Sequence, residues 1–236
     1  MNPLFHNGLQ LQRSPLQQRW SLTLRMGIVA ALLVCAEAGI GHGVTEHSLT
    51  ELAQEALILI SAILFWVGAR QHPTVRSLLV LFAGLFGCMF IRELDALFDK
   101  IFHGFWIYPA LLLAAGTILY AASCPKMDIR RSLNFLMAPS FGLVSGGLLT
   151  VLLISRIVGT GRLWYFLMDS RSVGHLYKNV IQEGLELWGY ALIATGAWCV
   201  VSRLQASEND RRGERHMVMP KTRQAVGSFE TTVSTL

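Results

Sequence analysis

Acidic and histidine side chains recur at helical spacing beside the apolar stretches of this sequence. His47, Glu51 and Glu55 lie four residues apart, so in a helix they would form one polar stripe. Two further stripes have the same pattern, with a histidine outermost and acids deeper: Asp95, Asp99 and His103, and then His175, Asn179 and Glu183, with Glu186 one turn further along. The repetition predicts that the three stripes contribute to one site.

The chemistry of such a site depends on how its carboxylates are neutralised. Crowded carboxylates in a low-dielectric region resist ionisation unless a cation lies between them. Arg92, paired with Glu93 or Glu183, is one candidate cation. A divalent metal is the other, and zinc, iron and manganese all fit because oxygen and nitrogen ligands discriminate poorly among them. The predicted metal ligands are Glu51, Glu55, Glu93, Asp99, His103, Glu183 and Glu186, with Glu37, His47, Asp95, His175 and Asn179 as secondary candidates.

A structural interpretation of the same residues stays open. Acids near helix ends are often solvated, and at a helix N-terminus they interact favourably with the helix dipole. A network of glutamates with Arg92, Asn179 and Tyr190 would also neutralise them. The sequence contains no HExxH, CxxC, P-loop, dinucleotide-binding or GxSxG motif and no ExxH pair, so no standard motif decides between these interpretations.

Composition predicts an all-α membrane protein. The chain is 53% hydrophobic and only 15% charged, and its mean hydropathy is +0.45, which is too apolar for a soluble domain. The net charge of +5 is explained by basic cytoplasmic flanks, so nucleic acid is not an expected partner. We expect the cysteines to be small buried hydrophobes without disulfides: Cys35, Cys88, Cys124 and Cys199.

Apolar segments predict six transmembrane helices in a polytopic bundle. They cover about residues 21–40, 47–70, 77–99, 105–123, 133–155 and 179–201. Lysine and arginine cluster on one set of flanks, so both termini are predicted to be cytoplasmic in a bacterial-type inner membrane. Residues 1–20 would be a cytoplasmic or interfacial segment with no cleavable signal, 21–203 the membrane domain, and 204–236 a disordered cytoplasmic tail.

Two spans are too short unless charged residues enter the membrane. The uncharged run 56–69 covers only roughly 21 Å at ~1.5 Å per residue, whereas the bilayer core is about 30 Å thick. Residues 77–91 have the same shortfall. We therefore expect the second, third and sixth spans to place carboxylates in one periplasm-facing cavity, with Arg92 or a metal between them. Glu55, Glu93, Glu183 and Glu186 should be largely buried, and His42 and Glu46 exposed.

Two features predict contacts between helices or with partners. Ala138, Gly142 and Gly146 form a small-xxx-small face, which permits close helix approach inside the bundle, or in a homo-oligomer or with a membrane partner. The aromatic patch Trp164–Leu167 is expected at the outer interface.

Three functions fit these patterns. The first is a metal-dependent enzyme acting on a lipid or lipid-linked substrate, with Glu55 or Glu186 as the general base. The second is a transporter in which the acids handle a cation or a proton. Polar residues should then continue through the membrane, yet the inner part of the second span offers only Ser61. The third is a non-catalytic membrane subunit that docks a partner through the aromatic patch.

Overall fold

The structure is a computed structural model that describes residues 15–39, 49–124, 129–160, 164 and 178–207. Every regular element in these ranges is helical, which confirms the all-α prediction. The elements are α1 (Pro15–Gly39), α2 (Leu49–Gln71), a 3-10 turn (Pro73–Val75), α3 (Arg76–Glu93), α4 (Asp95–Phe98), α5 (Ile107–Ser123), α6 (Ile129–Leu136), α7 (Phe141–Val158) and α8 (Lys178–Ser207).

Four helical stretches are long and apolar enough to cross a membrane by length and composition. They are Leu49–Gln71, Pro73–Glu93, Phe141–Val158 and Lys178–Ser207. Two shorter apolar helical stretches, Leu24–Ala36 and Ile107–Ser123, accompany them. These helices support the membrane character predicted from composition, while the count of six spans and their orientation stay predictions.

Several helix ends differ from the predicted spans. Helix α1 begins at Pro15, before the predicted interfacial boundary, and α8 continues to Ser207. The third span ends earlier than expected, because Leu94 (φ −85°, ψ 17°) leaves the helical region after α3. The short α4 and a series of turns follow, up to Gly104 with φ +83°. The stripe through Asp95, Asp99 and His103 is therefore not carried by one continuous helix.

The chain folds into two compact units. The first unit comprises Met1–Leu57 and Ser145–Ile193, and the second comprises Ile58–Val144 and Ala194–Leu236. Helices α2, α7 and α8 each contribute one part to each unit. In α8 the share of buried residues in the membrane-length window is 72%, against 33–39% in the other three long helices, so α8 is the most enclosed of the four.

The first unit has a small apolar core between α1 and α8. Ala30 and Val34 of α1 and Leu187 of α8 are buried together, and five partly buried residues pack against them: Leu33, Ala53, Leu57, Val180 and Trp188. Because Val34 points into this core, the following residue Cys35 lies on the exposed side of α1. All four cysteines are free, but the burial prediction is wrong, since Cys35 is exposed and the others are only half-buried.

Glycine allows α7 and α8 to approach closely in the first unit. A Cβ atom added to Gly147 would lie 2.5 Å from the Gly189 carbonyl oxygen, so any side chain there would clash with backbone. Gly142 and Gly146 were predicted to allow close helix approach inside the bundle or in an oligomer, yet a Cβ added at either would meet nothing within 4 Å among the described residues. The in-bundle alternative is therefore wrong for these two glycines. Gly146 is one residue from the enclosed Gly147, and one step along a helix turns a side chain by about 100°.

The second unit is packed around aromatic rings of α2, α3 and α7. The Phe65 ring lies 5.4 Å from both the Phe82 and Phe86 rings, and Phe82 lies 5.0 Å from Phe141, between ring centroids. Helices α3 and α5 also pack closely, because Gly84 faces Thr117 with no room for a Cβ atom.

Candidate functional site

A buried carboxyl group lies between α7 and α8 in the first unit. Glu186 is only 6% exposed, and its Oε1 atom lies 3.1 Å from Ser155 Oγ and 3.3 Å from Gln182 Nε2. Gln182 precedes Glu186 by four residues on α8, so the two side chains lie on one helix face. Both partners are neutral, which is unusual for a buried acid, since buried charges are normally paired.

A second polar contact joins α2 to α8 in the same unit. The Gln54 side-chain amide donates to the Glu183 carboxylate at 2.9 Å and to the Glu183 backbone carbonyl at 3.2 Å. An amide NH2 carries two hydrogens, so both bonds can form at once. Gln54 is 2% exposed, and Thr50, one turn earlier, is fully buried. The α2 side chain in this contact with Glu183 is therefore the amide of Gln54 and not a second carboxylate.

The position of Ser155 follows from an irregularity in α7. Residues Thr150–Ile154 form a π-helical turn directly before Ser155. Such turns insert one residue, rotate the following side chains and are frequent at functional sites. Ser155 is fully buried, and its Oγ atom lies 2.7 Å from the Val151 carbonyl oxygen as well as 3.1 Å from Glu186.

The remaining acids of the first unit are less enclosed than predicted. Glu51, Glu55 and Glu183 are half-buried, whereas Glu186 is buried as expected. The reason lies in the register of α2, whose buried face contains Thr50, Gln54, Ile58, Ser61 and Phe65. The predicted glutamate stripe is offset from this face by one residue, which places it at the edge of the buried surface.

A charged pair lies at the end of α3 in the second unit. Arg92 Nη2 lies 2.9 Å from Glu93 Oε1, with the arginine side chain 40% exposed and the glutamate side chain 14% exposed. This is the first of the two carboxylate partners predicted for Arg92. Asp95 is exposed.

Asp99 organises the turn after α4. Its Oδ1 atom accepts the Gly104 N–H at 2.8 Å, and its Oδ2 atom lies 2.8 Å from His103 Nδ1. The Gly104 N–H, and secondarily His103, hold the pKa of Asp99 below its usual range. The His103 side chain is 98% exposed. The contacts of Asp99 with the Gly104 N–H and with His103 stabilise the local turn. The structural interpretation, in which the acids have no role in a metal site, therefore explains both Asp99 and His103.

The metal prediction gains no geometric support. Among the residues that the structure describes, no three His, Cys, Asp or Glu side chains lie close enough to hold one ion. The metal and the cavity shared by α2, α3 and α8 both stay predictions, because Glu93 and Asp99 belong to the second unit and Glu183 and Glu186 to the first.

Other predicted residues fall at the edge of the described structure or beyond it. Asn179 is exposed near the start of α8. The positions His42, Glu46, His47 and His175, the Glu37 side chain and the predicted tail beyond residue 207 lie outside what the structure describes. In the aromatic patch, Trp164 is 9% exposed and its Nε1 atom donates to the Val158 carbonyl at 2.7 Å. Trp164 therefore packs at the end of α7 and is buried, residues 165–167 are outside the described ranges, and docking through the aromatic patch stays a prediction.

Three important residues were not singled out from the sequence. Gln54, Ser155 and Gln182 carry no charge, so a search for metal ligands passes over them. A usable signal does exist, because Gln182 and Glu186 are four residues apart and Gln54 lies between two glutamates at the start of an apolar run.

Comparison with known proteins gives no relative to guide the interpretation. No family model, curated protein or solved structure matches the chain significantly.

Proposed function

We propose that the chain is a multi-pass inner-membrane protein that handles protons, and that Glu186 is the group that takes up and releases the proton. In this proposal six spans cross the membrane, both termini are cytoplasmic and the Glu186 end faces the periplasm. The orientation is supported by the basic flanks, and the membrane location by four apolar helices of sufficient length.

The observation that carries the proposal is the double contact of Ser155. Its hydroxyl has one hydrogen to donate, but acceptors lie at 2.7 Å on Val151 and 3.1 Å on Glu186. When Glu186 is ionised, Ser155 donates to it. When Glu186 carries a proton, Ser155 turns to Val151 and Glu186 donates to the hydroxyl oxygen. One bond rotation therefore lets the same three groups accommodate both protonation states.

The surroundings favour a proton over a metal ion at this position. Ser155 and Gln182 supply a hydroxyl oxygen and an amide, and neither supplies the negative charge that a divalent ion prefers. The metal-dependent lipid enzyme predicted from sequence has no corresponding arrangement among the described residues. The proton-handling alternative is the one with a specific contact behind it.

The protonation of Glu186 can be followed by infrared difference spectroscopy during a pH step on protein in lipid. We expect a carboxylic-acid carbonyl band that is lost in Glu186→Gln and shifted in Ser155→Ala, because the hydroxyl partner of the acid is removed. Glu93→Gln is the matched control, since Glu93 is paired with Arg92, and it should keep the band. A band unchanged in Glu186→Gln would reject the site.

Proton movement itself is tested in sealed vesicles loaded with a pH-sensitive dye. Wild-type protein should equilibrate an imposed pH difference faster than Glu186→Gln, with Glu93→Gln resembling wild type. Equal rates for wild type, Glu186→Gln and protein-free vesicles would reject proton movement while leaving a proton-binding site in place.

A further inference from the structure

An apolar groove of about 490 Å³ runs along α5 in the second unit. Its walls include Trp66 of α2, Val80 of α3 and the α5 residues Leu113, Gly116 and Tyr120. The groove also includes Thr117, but that hydroxyl already donates within its own helix, with the Leu113 and Ala114 carbonyl oxygens at 3.0 and 2.9 Å. The lining therefore suits an apolar occupant.

One end of the groove is basic and aromatic. The Arg70 guanidinium carbon lies 5.2 Å from the centroid of the Trp66 ring, and that ring lies 6.3 Å from the Tyr120 ring. Arg76 lies beside the same end of α2, because its Nε atom donates to the Ala69 carbonyl at 3.1 Å. Tryptophan and tyrosine are typical of the membrane interface, where arginine meets lipid headgroups.

The length of the groove matches one leaflet of a membrane. It follows α5 from Pro109 to Tyr120, which is roughly 16 Å at about 1.5 Å per residue. Half of a bilayer core is about 15 Å thick. A lipid acyl chain that starts at the aromatic end would therefore fill the groove to its far end.

We infer that this groove binds one acyl chain of an anionic phospholipid, whose phosphate pairs with the Arg70 guanidinium. The cation–π contact with Trp66 holds the guanidinium at the mouth of the groove, which lowers the entropy lost on pairing. Gly116 leaves space for the chain, since a Cβ atom added there would meet nothing within 4 Å.

Native mass spectrometry of the full-length protein with added phosphatidylglycerol or phosphatidylcholine tests this inference. Wild type should retain phosphatidylglycerol about fivefold better, because its headgroup has a net negative charge, whereas the choline cation offsets the phosphate of phosphatidylcholine. Arg70→Gln should bind both lipids equally. Gly116→Leu should lose retention of both, because the leucine side chain would occupy groove space at a position where an added Cβ atom meets nothing within 4 Å.

Two matched variants complete the experiment. Arg203→Gln removes the same charge from an exposed position of the second unit outside the groove, and Gly142→Leu adds the same side chain at another open helical glycine. Both should retain lipid as wild type does. The inference is overturned if Arg70→Gln keeps the anionic preference, if wild type has none, or if Gly116→Leu retains lipid as well as Gly142→Leu.

Discussion

The acidic residues of the two units differ in burial and in the charge of the groups they contact, although the sequence patterns around them are similar. In the first unit Glu186 is buried and its partners are a serine and a glutamine. In the second unit Asp99 faces an exposed histidine and a backbone N–H, and Arg92 pairs with its neighbour Glu93. Similar sequence patterns thus produced a buried, neutral environment in one unit and a partly exposed, charged one in the other. Burying a carboxyl group among neutral partners, as for Glu186, costs free energy. Folding alone does not require such an arrangement.

The largest expected effect is on stability when Glu186 is truncated. Glu186→Ala removes one of the two hydrogen-bond contacts of the buried Ser155 and leaves a cavity, so we expect a loss of about 3 kcal/mol. Asp95→Ala, at an exposed position of the second unit, should change the unfolding free energy by less than about 0.5 kcal/mol. Reversible unfolding in mixed micelles measures both. Equal losses in the two variants would remove the contrast between the units.

The contrast also depends on the close approach of α7 and α8. Gly147→Ala would force a Cβ atom against the Gly189 carbonyl oxygen, separating Ser155 from Glu186, and should cost about 1–3 kcal/mol. Gly146→Ala adds the same methyl group where nothing lies within 4 Å, and alanine is the better helix former, so it should be neutral or stabilising. Thermal unfolding of this neighbouring pair provides the measurement. A loss in Gly146→Ala as large as in Gly147→Ala would mean that α7 is rotated from the position described.

A smaller effect is expected at the amide that joins α2 to α8. Gln54→Leu keeps the volume but removes the two bonds to Glu183, which should cost about 1–2 kcal/mol. Gln71→Leu is the control on the same helix, because Gln71 makes an exposed contact with Gln205 at 2.8 Å. Its unfolding free energy should stay within about 0.5 kcal/mol of wild type. Equal losses of stability in the two leucine variants would show that the burial of Gln54 does not determine the cost of removing its hydrogen bonds.

Apolar length and composition were sufficient to predict the helical class and the membrane character, because spanning helices need long uncharged runs whatever their neighbours are. The same reasoning predicted that Glu186 is buried. It could not determine which face of each helix is buried, since that depends on packing against other elements. Glu55 and Gly146 both illustrate the limit, because each is one residue from the position that is enclosed.

The nature of the candidate site was harder to predict than its location. The metal site was predicted from charged side chains beside apolar segments, because these are the residues that the sequence makes visible as possible ligands. Glu186 contacts Ser155 and Glu183 contacts Gln54, two neutral residues whose relevance appears only when helices distant in sequence pack together. The end of α3 at Glu93 could not be predicted from the sequence either, because the residues after it are also compatible with a continued helix.

The smallest effect expected is the acid sensitivity contributed by Asp99 in the second unit. Its pKa is lowered by the Gly104 N–H and by His103, so the folded protein favours the ionised carboxylate more than the unfolded chain does. The resulting stability is fully present above the ordinary aspartate pKa of about 3.9 and is lost as the pH falls through the lower value of the folded state. The His103 ring faces the Asp99 carboxylate at 2.8 Å. Asp99→Asn keeps an oxygen for the Gly104 N–H but cannot ionise, so the stability difference from wild type should shrink as the pH is lowered below about 4. Thermal unfolding of both proteins across this range tests the expectation. A difference between wild type and Asp99→Asn that is constant with pH would show that the turn uses Asp99 only as a neutral hydrogen-bond acceptor.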